Sequence, residues 1–568
     1  MIEDDLRAWL RSGLEAAAPR LGLDGDLPEP ELMEPRQKEH GDFATNVALA
    51  VAGRAGAPPR RVAETIAAAL PQAPFVRAVE VAGPGFINVF LTEAWLYDVL
   101  RRIAEEGDRF ARAPRTGRRV QVEFVSANPT GPLHVGHARN AVLGDAIARL
   151  LDAAGDDVER EYYYNDAGGQ MDKFGLSVEV RYLQLLGRED EVTGGRSVEQ
   201  YLDDISGYKG TYVIAYAEDI RFEAGDAPAD LSSEERLARL REEGARRAMD
   251  DIRATLAAFN VGFDSYVSEA DLAAAGDIDE AIERLRKSGD AYEAEGAVWF
   301  RSTSYGDDKD RVLVRSTGLH TYFAADCAYL IHKFGRGFDR AIYVWGADHH
   351  GDVVRVRGAA QALGLDPSAV EMVIYQWVSF LRGGEPVPMS KRDGTFLSLD
   401  ELIDEVGTDA ARFHLLLFSS DHTMRFDIDE VKRQSMENPV YYVQYGHARI
   451  ASILRTAEDS GVSIRPIDEV DLDRLVDPAE IELLRGLADV PATIITAAEL
   501  RAPHRIAHAA QDVAARFHRF YTDCRVVSDD EELTQARLWL CRASKTVLAM
   551  LLGLVGVSAP ERMDRDDG

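Results

Sequence analysis

Val120-Gln121-Val122-Glu123-Phe124-Val125 runs directly into Ser126-Ala127-Asn128-Pro129-Thr130-Gly131-Pro132, and then into Leu133-His134-Val135-Gly136-His137. The first six residues alternate apolar and polar, the pattern of a strand. The next seven are rich in Pro, Gly and Asn, which break regular structure and form tight turns. A helical period follows, with Leu143, Ala146, Ile147, Leu150 and Leu151 on one face. Strand, tight loop, helix is how a nucleotide-binding parallel sheet begins, and it predicts ligand chemistry at the strand's carboxyl end. Two later apolar runs, Ala341 to Trp345 and Met372 to Val378, are expected to be buried parallel strands of the same sheet.

Working outward from this start, the chain reads as a multidomain α/β protein. Residues 1–110 are expected to be a separate N-terminal α+β unit. Helical periodicity runs from Glu3 to Ala18, from Ala44 to Ala52 and from Val62 to Leu70, and strand-like runs flank Gly83-Pro84-Gly85. Residues 111–427 are expected to hold the Rossmann-like catalytic domain, with a charged helical insertion at about 176–296. Residues 428–568 read as an all-α helical bundle, with helices over Tyr441–Leu454, Ile481–Glu499, Ala502–Tyr521 and Gln535–Leu552.

The chain has 568 residues and a formal net charge of −32. Its 46% hydrophobic content excludes a disordered chain. At first sight the charge also speaks against nucleic acid, whose phosphates are bound through Lys and Arg. The three cysteines, Cys327, Cys524 and Cys541, supply neither a disulfide framework nor a four-Cys zinc site, so no structural zinc is expected. The acidic start, Met1-Ile2-Glu3-Asp4-Asp5, is no signal peptide. The apolar stretch Val547–Val557 is short of the ~20 residues that span a bilayer. A soluble cytoplasmic protein without membrane contact is expected.

Two short constellations carry chemistry. His134 and His137 stand at i and i+3, on one side of a first helical turn. That turn offers unpaired backbone N–H groups and a partial positive charge, which suit phosphate. The imidazoles can donate to an α-phosphate and a leaving pyrophosphate, and Gly136 lets a flat base approach the backbone. The second is Met389-Ser390-Lys391-Arg392, downstream of Gly383-Gly384. A Lys on a Gly-flanked loop can reach over triphosphate oxygens as charge moves to the leaving group. The chain has only 9 Lys against 56 Arg, which makes a loop Lys more noticeable.

Together these motifs resemble the HIGH and KMSKS signatures of class I aminoacyl-tRNA synthetases. The wider context resembles arginyl-tRNA synthetases: Ser126 to Arg139, Tyr163-Tyr164-Asn165-Asp166-Ala167-Gly168, Trp345-Gly346-Ala347-Asp348-His349-His350-Gly351, Glu437 to Tyr445, and Ala559-Pro560-Glu561-Arg562-Met563. The resemblance spans essentially the whole chain. One departure is that Pro388 stands where the second signature has its first Lys.

The resemblance implies an ATP-dependent ligase that joins L-arginine to tRNA(Arg), with Mg²⁺ accompanying ATP and with no resident metal. It implies His134, His137 and Lys391 as catalytic groups, and His134, Gly136, His137, Gly346, Asp348, Met389, Ser390 and Lys391 around ATP. Glu123, Ser126, Asn128 and His137 are expected at the arginine, Glu123 and Asn128 at its α-amino end. Tyr322 and Asp326, at i and i+4, would hold the guanidinium, which needs carboxylates and planar acceptors. His349 or His350 would line the same pocket. Phe86 and Asn88 match the place where the family's added domain meets the tRNA elbow, and Tyr441, Gln444, Arg449 and Arg516 are expected on tRNA. No obligatory protein partner is expected, and a monomer is. In the family, activation usually waits for bound tRNA.

Local charge removes the conflict with a nucleic-acid substrate. Residues 151–300 hold 35 acidic and 16 basic residues, a balance of −19, whereas 61–120 come to +2 and 501–525 to +3. A small-molecule nucleotidylyltransferase also uses an HxGH helix start but does not need an elbow-binding unit or a C-terminal bundle. A non-catalytic paralogue would have lost motif residues, and both histidines and the loop Lys are present.

Overall fold

The computed structural model describes residues 2–33, 35, 37–387, 389–390 and 395–563. The chain divides into two compact units. The larger comprises Ala111–Ile453, Asp489–Ala515 and Val547–Gly568. Its centre is a five-stranded parallel sheet. In chain order the elements are β1 (Arg119–Glu123), α1 (Ala138–Ala153), β2 (Asp157–Tyr164), α2 (Gly168–Leu185), α3 (Ser233–Ala258), β3 (Ser265–Ser268), α4 (Tyr322–Gly335), β4 (Arg340–Gly346), α5 (Asp352–Ala362) and β5 (Val370–Tyr375). The spatial order is β5-β4-β1-β2-β3, so the strand order reverses between β1 and β4. That switch point is where an open parallel sheet leaves a crevice at its carboxyl edge.

β1 is central, and its two faces differ. Val120 and Val122 are buried on one face, next in line to Phe124, which packs against Gly144 of α1. Gln121 and Glu123 lie on the other face, in register with Glu159 and Glu161 of β2 and with Ala341 and Tyr343 of β4. That face carries α4, whose Phe323, Ala324, Ala328 and Leu330 share a core with Ala341 and Tyr343.

Three expectations need correction. The expected insertion at about 176–296 contains β3, which pairs in parallel with β2. Its four residues, Ser265-Tyr266-Val267-Ser268, are too short a run to show strand alternation. The inserted helices build a core of their own, in which Phe174 and Val178 of α2 meet Tyr216, Ile220 and Leu240. The run Met372–Val378 is not one strand. β5 ends at Tyr375, and a new strand, Val378–Arg382, pairs in parallel with Met424–Asp427 in a different sheet. The helix expected over Ile481–Glu499 is two, Pro478–Ala488 and Val490–Glu499. Pro491 has no N–H to continue the first and fits the opening turn of the second.

The smaller unit comprises Met1–Phe110, Leu454–Ala488 and Arg516–Thr546. Its antiparallel sheet has the order Leu32–Met33, Phe43–Thr45, Phe86–Leu91, Val76–Ala82. The helix Ile2–Leu21 buries Leu14 and Ala17 against Val47, Val51, Val62 and Ile66, the apolar faces of the next two helices. Tyr97 donates its hydroxyl proton to the Leu475 carbonyl at 2.9 Å, so residues from the C-terminal helical part share this unit with the N-terminal part.

Candidate active site

The crevice at the carboxyl end of β1 is built on an unusual backbone. Val125 and Ser126 both have positive φ, 65° and 46°, which non-glycine residues adopt at a cost of ~1–2 kcal/mol each. Side chains hold the turn in place. Asn140 of α1 accepts the Val125 N–H at 2.6 Å and donates to the Val344 carbonyl of β4 at 2.9 Å. The Ser126 hydroxyl accepts the Tyr163 N–H at 3.2 Å and donates to Glu123 at 3.1 Å. Asn128 accepts the Asn165 N–H at 3.1 Å and donates to Gln170 at 2.7 Å. Ser126 thus joins Glu123 to β2, Asn128 is tied to the segment that follows β2, and each already has a protein partner.

His134 caps the short 3₁₀ turn Val135–His137 that precedes α1, its Nδ1 accepting the Gly136 N–H at 3.0 Å. The rings of His134 and His137 lie 4.0 Å apart. The same segment is clamped to the chain that leaves the signature loop. Val135 N–H donates to the Leu397 carbonyl at 3.1 Å, and Leu399 N–H to the Leu133 carbonyl at 2.9 Å. Upstream of that clamp, Met389–Ser390 and Thr395–Phe396 pair as an antiparallel ribbon. Lys391, with Pro388 and residues 392–394, lies outside the described residues.

The opposite wall comes from α4. Tyr322, Asp326, Tyr329 and Lys333 form one stripe along this helix, at spacings of four, three and four residues. Exposure falls along it, from 61% at Tyr322 to 0% at Lys333, with Asp326 partly buried between. Burial raises the Asp326 carboxyl to about 7, with the negative fields of Glu123, Glu269 and Asp352 adding to the rise and Arg355 opposing it. Glu269 accepts the Tyr163 hydroxyl at 2.7 Å, and burial raises its carboxyl as well. Tyr163 stacks on Tyr329 with ring centres 4.4 Å apart. Asp352 pairs with Arg355, which also reaches Asp307 at 3.3 Å. Of these carboxylates Asp352 is paired with Arg355, whereas Asp326 and Glu269 have no ion-pair partner among the described residues, which makes them the complement of a guanidinium.

At the end of β4, a side chain on Gly346 would lie 2.5 Å from Asp348. His349 and His350 are both exposed, and His349 lies 3.5 Å from Asp348 and 3.2 Å from Asp352. His349 is therefore the histidine tied to the acidic pocket. Tyr375, at the end of β5, is 3.5 Å from Asn140.

The residues expected on tRNA are placed differently. Phe86 and Asn88 share a face of the strand Phe86–Leu91 in the smaller unit, Phe86 partly exposed and Asn88 only 5% exposed. Arg516, in the same unit, donates to the Glu482 carbonyl at 2.9 Å. In the larger unit, Tyr441 stacks near Tyr445, Arg449 is exposed, and Gln444 is buried, donating to Asp409 at 2.8 Å and to Ser558. Gln444 and Arg516 are thus engaged in packing contacts in this structure.

Three residues of the site escaped the sequence reading. Glu269 follows β3, hidden in the supposed insertion. Lys333 sits in an ordinary helical run, and its one signal was the rarity of Lys. Arg139, 2% exposed, reaches the carbonyls of Gln376, His422 and Ser419, a role with no local pattern.

Known proteins match this arrangement along its length. The family model described as "tRNA synthetases class I (R), catalytic domain" matches residues 100–449. Those for the "Arginyl tRNA synthetase N terminal domain" and the "DALR anticodon binding domain" match 4–91 and 443–563. An arginine--tRNA ligase of Heliobacterium modesticaldum is 48% identical over 544 residues, 95% of either chain. One of Syntrophotalea carbinolica is 47% identical over 565 residues, covering 99% of this chain and all of the relative. The solved Thermus thermophilus arginyl-tRNA synthetase superposes with a TM-score of 0.72 at 26% identity, covering 98% of this chain and all of that one. With a parallel sheet, an HxGH turn at its switch point and relatives nearly half identical from end to end, the chain belongs to the arginyl-tRNA synthetase family.

Proposed function

We infer that the chain is an arginine–tRNA ligase in which Asp326 and its acidic neighbours select the amino acid and the His134–His137 turn serves ATP. The carrying observation is the meeting, at one sheet edge, of Asp326, a carboxyl buried among other acids, with a histidine-capped turn. In the first step an oxygen of the arginine carboxylate attacks the α-phosphorus of ATP. The bond to the β-phosphate oxygen breaks, and pyrophosphate leaves with its electron pair. His134 and His137 donate to the oxygens on which negative charge grows, together with Lys391. In the second step a hydroxyl of the tRNA's terminal adenosine attacks the adenylate carbonyl, and AMP departs. No side-chain nucleophile is needed, because positioning carries the rate.

Gly346 and Asp348 serve the ATP ribose, Met389 and Ser390 flank its phosphates, and Gly136 admits the adenine. Glu123, Ser126 and Asn128 hold the α-amino end. Tyr322 and His349 close on the guanidinium. ATP brings Mg²⁺ on its phosphates, and the cation belongs to that substrate. Among the described residues no group of three or more His, Cys, Asp or Glu is arranged to hold a metal. Residues 1–110 serve as the elbow-binding domain through Phe86 and Asn88. Residues 428–568, with Tyr441, Gln444, Arg449 and Arg516, serve the anticodon end of tRNA. A cytoplasmic monomer completes this reading, and sedimentation analysis tests the oligomeric part. Among the described residues, no helix is long and apolar enough to cross a membrane.

The deciding experiment is pyrophosphate exchange with each of the twenty amino acids, with and without tRNA(Arg). Exchange is expected with arginine in the presence of tRNA. Exchange driven by another amino acid, or none with arginine and tRNA, would overturn the reading.

A further inference from the structure

Below the arginine pocket lies a buried ion network that the reaction itself does not use. Lys333 is fully buried on α4. Its ammonium lies 2.7 Å from Glu123 Oε2, 2.8 Å from Gln121 Oε1 and 3.6 Å from Glu161 Oε1. It also sits over the rings of Tyr329 and Tyr343, at 4.0 and 4.3 Å. An ammonium offers three donors from one point and suits this convergence, whereas a guanidinium is a planar fork and does not. The chain uses Arg six times as often as Lys, with 56 against 9, so a Lys here runs against its composition. Glu161 takes further protons from Gln121, Tyr329, Arg336 and Ser265. Burial alone would raise its carboxyl, but Lys333, Tyr329 and Arg336 outweigh that and lower it.

The two oxygens of Glu123 therefore have different duties. Oε2 is held by Lys333 from below, and Oε1 meets the Ser126 hydroxyl at 3.1 Å on the side of the strained turn. A carboxylate anchored at one oxygen keeps a fixed direction for the other. Its charge is also balanced before substrate arrives, whereas Asp326 has no ion-pair partner among the described residues. That asymmetry separates two jobs that two carboxylates could otherwise exchange: Asp326 answers a guanidinium, and Glu123 presents an oriented acceptor.

We propose that Lys333 is a positioning residue for the amino end of the substrate, acting through Glu123 to fix where the α-amino group of arginine binds. The proposal rests on the arginine-activating reading and deepens it, since it assigns amino-end recognition to a buried ion pair rather than to Glu123 alone. Lys333 does not touch arginine; it sets the acceptor that does.

The test is arginine-dependent pyrophosphate exchange, with tRNA present, on four proteins: wild type, Lys333→Met, Glu123→Gln and the double variant. Met keeps the aliphatic stem and removes the ammonium. Lys333→Met is expected to raise the arginine KM at least tenfold while the ATP KM stays within twofold. Inhibition by 5-guanidinopentanoate, an arginine analogue without the α-amino group, is expected to stay within twofold of wild type. The double variant should match Glu123→Gln in arginine KM, because Lys333 acts only through that carboxylate. If Lys333→Met does not fold, the double variant, which strands neither charge, is compared with Glu123→Gln alone. A wild-type arginine KM in folded Lys333→Met, a wild-type KM in Glu123→Gln, equal loss of the deamino analogue, or a double variant ten times worse than Glu123→Gln would each overturn the proposal. Failure of the wild type to exchange with arginine would instead sink the underlying assignment.

Discussion

Nδ1 of His134 lies 3.0 Å from the backbone nitrogen of Gly136 and accepts its proton. Since Nδ1 is the acceptor, the neutral ring carries its proton on Nε2, which is then the ring's donor atom. One side chain thus caps the turn and, in the proposed reading, serves the chemistry, and the two roles can be separated. His134→Asn keeps a good capping group for the first turn. Its melting temperature should stay close to wild type while kcat falls about 10²–10³-fold, the usual loss for one transition-state donor. His134→Ala should lose both. Thermal melts alongside exchange kinetics check this, and a wild-type kcat in His134→Asn would remove His134 from catalysis.

The Asp326 carboxyl, raised to about 7 by burial and by its acidic neighbours, sets a pH dependence. In the unfolded chain it ionises in the ordinary carboxylate range. Its contribution to stability is therefore lost as pH rises from that range to about 7, and is constant above. Arginine requires the ionised form, so the order is reversed for binding. The arginine KM should rise about tenfold between pH 8 and pH 6, as a single proton at about 7 requires. Asp326→Asn should raise KM at every pH and remove the step. A flat KM profile in the wild type would show that another group answers the guanidinium.

Much of this site was legible because its motifs are local. Strand, loop and HxGH turn follow one another without a gap, so Glu123, Asn128, His134 and His137 were placed together by reading along the chain. What escaped is what depends on contacts across the sheet. Gln121 and Glu123 alternate with apolar residues, a pattern that ordinarily marks a solvated sheet face. Here the face is covered by α4, and the polar residues survive burial because Lys333 donates to Gln121 and pairs with Glu123. Nothing within six residues of Glu123 announces a cation more than two hundred positions away. Glu269 escaped for a different reason: β3, which delivers it, is only four residues long.

Gly144 faces the ring of Phe124, and a Cβ there would lie 2.2–2.5 Å from three of its atoms. Helix propensity alone favours Ala over Gly in a helix interior by ~1 kcal/mol. Overpacking costs about 1–3 kcal/mol and should win, because Phe124 is confined between the sheet and α1. Gly144→Ala should therefore melt at a lower temperature. The arginine KM should also rise, since Phe124 adjoins Glu123. A more stable Gly144→Ala would mean that the strand and helix can move apart freely.

Arg139 is the second residue of α1, two positions after His137, and holds no carboxylate. Its guanidinium donates to the carbonyls of Gln376 at 2.7 Å, His422 at 2.8 Å and Ser419 at 2.8 Å. Burial lowers its basicity. Three backbone acceptors from the segment after β5 and from the 419–422 turn are thereby tied to the start of α1. Arg139→Met would strand them away from water, at ~1–3 kcal/mol for each that finds no other donor. Denaturant unfolding should register a loss of at least about 3 kcal/mol by the same reckoning. Arg139→Lys should recover only part of it, because one ammonium cannot span acceptors set out for a planar fork. The functional consequence follows from position. If the turn bearing His134 and His137 is held in place by this clamp, Arg139→Lys should lower kcat more than it changes either KM. An unchanged kcat in a destabilised Arg139→Lys would show that the histidine turn keeps its place without the clamp.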